Sequence, residues 1–147
     1  EALRSFSNNK DGWYGAYVRL LVPQRAELVT ASGQASELVR SPGSIGEEAG
    51  HVSFANYLLM PPGDSTLTYL WTLPGAAQPT DDGWRYDLFI RRQPGAQPMA
   101  QSVTVDLPED AEVTGVTDGA IVEDGRVSFG ADLSEDLELF VEYRLSA

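Results

Sequence analysis

"YDLFIRRQPGAQP", residues 86–98, reads as a strand that runs straight into a break. Tyr86, Leu88 and Ile90 alternate with Asp87, Phe89 and Arg91, the period of two that puts one set of side chains on each face of a sheet. Arg92 and Gln93 then lead into Pro94-Gly95. Proline presets φ for the second residue of a turn, and glycine accepts the positive φ that a type II turn needs next. The stretch therefore predicts that strand 84–92 turns at Gln93-Pro94-Gly95-Ala96 and returns as 101–107, an antiparallel hairpin with its loop at 93–100.

The same punctuation recurs outward from this point. Pro-Gly stands at 42–43, 62–63, 74–75 and 94–95, and Asp-Gly at 11–12, 82–83, 118–119 and 124–125. Asp-Gly between apolar runs is a hairpin signal, because both central residues of a type I′ turn need positive φ. Between the marks the period stays at two: Leu67, Tyr69, Trp71 and Leu73 form one stripe, Val103, Val105 and Leu107 another, and Leu137 to Leu145 the longest. Each stripe buries one face of an antiparallel sheet and leaves the other wet, with Trp71 read as core. "AYVRLLV" (16–22) and "HVSFANYLLM" (51–60) are apolar on both faces and read as central strands, whereas "SELVRSPGSIGEEAG" (36–50) reads as a loop. Strands are expected near 16–22, 27–31, 51–60, 66–73, 84–92, 101–107, 112–116, 120–123, 127–130 and 137–145. The expected fold is all-β: a single antiparallel β-sandwich of nine to ten strands over 1–147.

Bulk composition agrees with one globular domain. The chain has 147 residues, 42% of them apolar and 10% aromatic, enough to bury a sizeable core. No apolar run approaches the ~20 residues of a membrane-spanning helix, so this segment is expected not to insert into a membrane. It begins at Glu1 without an initiator Met, which leads to the expectation of a C-terminal extracellular piece of a larger, membrane-anchored protein. The absence of cysteine excludes disulfides and thiolate metal sites. Net charge is −12; residues 106–147 hold twelve acids against Arg126 and Arg144 alone. That field repels phosphate backbones and anionic lipid, so nucleic acid is not an expected partner.

Two stretches resemble one family of bacterial envelope proteins. "YVRLLVPQRAELVTASG" (17–33) is similar to its Y-x-R-x-x-V-P-x-G-x-x-L-x-x-x-x-G strand pair, with Arg25 where the family usually has glycine. "YDLFIRRQPGAQPMAQSVTVDLP" (86–108) is similar to its Y-x-L-x-x-x-x-Q-P-G followed by a V-x-V-x-x-P strand, and "FANYLLMPPGDSTLTYLWTLP" (54–74) fits between them. The family is the one catalogued as domain of unknown function 4012, matched over its C-terminal β-rich region. The resemblance implies a location on the extracellular face of the bacterial cell envelope, anchored by a segment outside this chain, in the neighbourhood of surface polysaccharide. It implies no catalytic residues.

Candidate sites are few. Arg91 and Arg92 offer guanidinium forks that match carboxylates and phosphates, but successive strand residues face opposite sides. Internal pairing with the acidic C-terminal half is the expected use. "SNNKDG" (7–12) has part of a calcium-loop pattern without its first carboxylate. Asp132, Ser134, Asp136 and Glu138 in "DLSEDLE" would share one face of a strand, and Asp132, Asp136 and Glu138 could supply part of a shell for weakly bound calcium; no other cofactor is expected. His51 is the only histidine and no G-x-S-x-G elbow exists, so catalysis has little support. Trp13 and Trp84 each follow an Asp-Gly turn, where a ring could stack on a sugar face or simply pack at the end of a sandwich. The leading expectation is a non-enzymatic extracellular structural or interaction module whose partner is an unknown protein or surface polysaccharide. The alternatives are a carbohydrate-binding module acting through Trp13 or Trp84, and an enzyme completed by further chain.

Overall fold

Residues 12, 14–34, 37–38, 44–60, 62–64 and 66–146 are described in the computed structural model. In place of one sandwich of nine to ten strands, the described residues form thirteen strands in four antiparallel sheets. They fall into two compact units, Glu1–Pro74 and Gly75–Ala147.

The first unit contains β1 (Tyr14–Pro23), β2 (Glu27–Gln34), β3 (Glu37–Leu38), β4 (Ser44–Glu48), β5 (His51–Met60) and β6 (Thr66–Thr72). β5 is central, pairing β1 on one side and β3 and β4 on the other, as its two apolar faces require. β1 pairs only β5, so it is an edge strand among the described residues, not a central one. Its outward positions carry Arg19, ion-paired to Glu48, and exposed Leu21. β2 and β6 form a separate two-stranded sheet, and Val22, Ala26 and Phe54 pack with Leu28 and Tyr69 to join the two layers. Within that core Asn56, 2% exposed, accepts a hydrogen bond from the Tyr69 hydroxyl at 2.9 Å. Trp71 departs from its stripe: it is 38% exposed, because a two-stranded sheet with a bulge beside its partner Leu28 is too narrow to cover an indole.

Two local expectations change here. The segment read as a loop contains β3 and β4, and β4 returns into β5 through Ala49 and Gly50, both at positive φ. The strands were overlooked because "SIGEE" is short, polar and edge-like, and the turn lacks Asp or Asn. The 17–33 stretch is not a paired hairpin: β1 and β2 belong to different sheets, linked by a turn in which Ala26 N–H donates to the Pro23 carbonyl at 2.9 Å.

The second unit contains β7 (Ala77–Thr80), β8 (Gly83–Ile90), β9 (Met99–Asp106), β10 (Ala111–Val116), β11 (Ile121–Glu123), β12 (Arg126–Leu133) and β13 (Leu137–Leu145). One sheet runs β10-β13-β8-β7 and the other β11-β12-β9. Their inner faces meet through Tyr86, Leu88, Leu139 and Val141 from one side and Val103, Val105, Val127 and Phe129 from the other, around a cavity of about 20 Å³. The opening stretch is therefore not a hairpin. β8 has both edges occupied, by β13 and β7, while β9 pairs β12 in the opposite sheet. The expected Gln93–Ala96 turn does form, with Ala96 N–H donating to the Gln93 carbonyl at 3.2 Å and Gly95 at φ 77°. It carries the chain across the sandwich instead of back alongside.

Candidate functional site

The Asp-Gly before Trp84 forms a tight hairpin one residue out of the expected frame. Thr80 pairs with Gly83, so Asp81 and Asp82 are the turn residues and Gly83 opens β8. Gly83 has φ 149°, and a Cβ there would collide with the Tyr143 carbonyl oxygen of the adjacent strand. Only glycine lets the turn lie this close to β13. Arg144 reinforces the approach by donating from Nε to the Asp82 carbonyl at 3.0 Å.

Two further features open a recess at this end of the sheet. The β10–β13 register shifts between Val113 and Gly115, making Thr114 the extra residue of a bulge, a device that re-aims a side chain. Gly115 lacks the Cβ that would press on the Glu142 carboxylate at 2.8 Å, which leaves room for that carboxylate. The result is a solvent-open recess of about 280 Å³ walled by Trp84 and Tyr143, with Asp81, Asp82 and Glu142 supplying carboxylates and Thr80 and Thr114 hydroxyls. Trp84 is 37% exposed and pairs across the strands with Tyr143.

Electrostatics divide the three carboxylates. Arg85 NH1 donates to Glu142 at 2.7 Å and its Nε to Asp87 at 2.9 Å, while the guanidinium lies over the Phe140 ring at 4.3 Å. The hydrogen bond to Glu142, then that to Asp87, holds the Arg85 guanidinium above its ordinary pKa. Glu142 is thus fixed at the rim. Among the described residues neither Asp81 nor Asp82 has a cationic side-chain partner.

The other candidates fare differently. Trp13 lies outside the described residues, as does 7–11 of the calcium-like loop. Arg91 and Arg92 follow β8 instead of ending it, and they take different partners. The Arg91 guanidinium lies over Phe89 at 5.6 Å, and Arg92 donates to the Ala96 carbonyl at 2.9 Å. The internal use is a ring and a main-chain oxygen, not the acidic pairing expected. Asp132, Asp136 and Glu138 do not share a strand face, because the chain turns between Leu133 and Leu137 and Asp136 instead accepts the Arg92 main-chain N–H at 2.9 Å. Among the described residues no three His, Asp or Glu side chains are grouped as metal ligands. His51 Nδ1 donates to the Ala49 carbonyl at 3.0 Å and braces the β4–β5 turn.

The sequence pointed to Trp84 but not to its neighbours. Thr114 and Gly115 become visible only when a bulge is known, and Tyr143 only when β13 is known to lie beside β8. Set against known proteins, the chain matches no family model, no curated protein and no solved structure.

Proposed function

We propose that this chain is a non-enzymatic extracellular structural or interaction module of a bacterial cell-envelope protein. The reading is supported by the resemblance over 17–108 to domain of unknown function 4012 and by two all-β units whose turns are pinned by glycine and proline. Charged side chains on the outer faces serve one another: Arg19 with Glu48, Arg85 with Asp87 and Glu142, Arg126 with Asp106. Such pairs suit a solvated scaffold surface.

One observation favours a second reading, a carbohydrate-binding module for surface polysaccharide. The Trp84 recess combines a half-open indole, a tyrosine, two threonine hydroxyls and carboxylate acceptors, the mixture of flat apolar surface and directional polar groups by which proteins hold sugars. The deciding experiment is titration of the chain with a panel of bacterial surface polysaccharides, with and without calcium, read by tryptophan fluorescence and calorimetry. Saturable binding that disappears in Trp84→Ala, with an unchanged thermal transition, establishes the carbohydrate reading. A flat response across the panel leaves the scaffold or protein-interaction reading.

A further inference from the structure

The charge around Trp84 narrows what the recess accepts, and this step rests on the carbohydrate reading above. The unit that carries the recess, 75–147, has fifteen acids against five arginines. Asp81 and Asp82 stand side by side on the β7–β8 turn without a cationic side-chain partner among the described residues, next to an indole face. Arg144, a nearby cation, spends an Nε hydrogen bond on the Asp82 main-chain carbonyl. Glu142 is already neutralised by Arg85 at 2.7 Å.

We infer that the recess selects sugars bearing a free, protonated amino group over their N-acetylated and acidic counterparts. An ammonium is attracted by the face of a tryptophan ring, and its donors match carboxylate oxygens that otherwise face only water. The sugar ring stacks on Trp84, Thr80 and Thr114 meet its hydroxyls, and the amine is directed to Asp81 and Asp82. A uronate or phosphate-bearing glycan would bring like charge against the same turn, which costs binding. The carboxylates are too dispersed to form a metal-ligand group, whereas an amine on a mobile sugar needs only one or two of them.

The test titrates the full chain at mildly acidic pH with three oligomers of equal length: glucosamine, N-acetylglucosamine and a uronic acid. Binding of the glucosamine oligomer is expected to be about tenfold tighter than that of the N-acetylated one, about 1.4 kcal/mol, with the uronate weakest. The preference should vanish in the Asp81→Asn/Asp82→Asn variant and shrink steadily with added salt. Glu123→Gln, an exposed acid on β11 in the opposite sheet, should leave it intact. Trp84→Phe retains binding of both neutral and amino forms, and Trp84→Ala loses both. Equal affinity for the amine and acetamide forms, or a preference that survives in Asp81→Asn/Asp82→Asn, overturns the amino-sugar inference while the carbohydrate reading stands. Failure of every oligomer to bind overturns both.

Discussion

At the scale of single residues, glycines without side chains and tyrosines without partners set the sharpest constraints. Gly83 combines a positive φ of 149° with a neighbour's carbonyl oxygen where its Cβ would go, while Gly95 at φ 77° has open space around it. Gly95→Ala is expected to lose about 1–2 kcal/mol from the left-handed backbone alone. Gly83→Ala should lose about 3 kcal/mol or more, because strain and collision add; urea denaturation of the two variants measures the gap. Burial pushes the phenols of Tyr69 and Tyr86 above their ordinary value of 10.0. The unfolded chain therefore releases these protons first as pH rises. Their contribution is fully present below the ordinary value and is lost as pH climbs through the folded values. Tyr86→Phe keeps the ring against the inter-sheet cavity and removes one such proton. Its loss of urea midpoint between about pH 9 and about pH 11 should be shallower than that of the parent chain.

At the scale of elements, period and pairing carry different information. The alternation of Tyr86, Leu88, Val103 and Val105 correctly assigned the inward positions, since all four line the inter-sheet cavity. Alternation says nothing about which strand lies alongside, and the Pro94-Gly95 turn is compatible with a hairpin or with a crossing between layers. The crossing occurs because β13 and β12, far along the chain, take the places beside β8 and beside β9. The chain has no cysteine, so introduced pairs report cleanly on register. Thr104→Cys/Ser128→Cys sits at a β9–β12 pair and is expected to oxidise to a disulfide within normal Cα separation. Phe89→Cys/Thr104→Cys, the pair a hairpin would align, is expected to keep both thiols titratable. Where both signals are local the sequence reading succeeds: Asp124 and Gly125, at φ 48° and 74°, close the β11–β12 hairpin as a type I′ turn should.

At the scale of the whole molecule, two compact units replace the expected single sandwich. Unit 75–147 closes its own two sheets over its own apolar faces, so an excised 75–147 chain is expected to fold. Because domains of this size retain only a few kcal/mol, it should show a strand-type far-ultraviolet spectrum and one cooperative urea transition of about 3–5 kcal/mol. A featureless spectrum would show that its core depends on residues before Gly75. This unit also holds the charge excess and the Trp84 recess, so the excised piece allows both to be studied without the N-terminal strands.

The sequence by itself determined the class of structure, the ten expected strand regions, most of the turns and the inward-facing stripes, because these follow from local sterics and period-two burial. It singled out Trp84 through the Asp-Gly that precedes it. Only the tertiary structure decided that β8 and β9 part company, that β1 is an edge, that Asp132, Asp136 and Glu138 are split by a turn, and that Tyr143, Glu142 and Thr114 stand beside Trp84. The physical reason is common to all four: strand neighbours are chosen by the burial of whole faces between residues up to dozens of positions apart, and no local pattern encodes that choice.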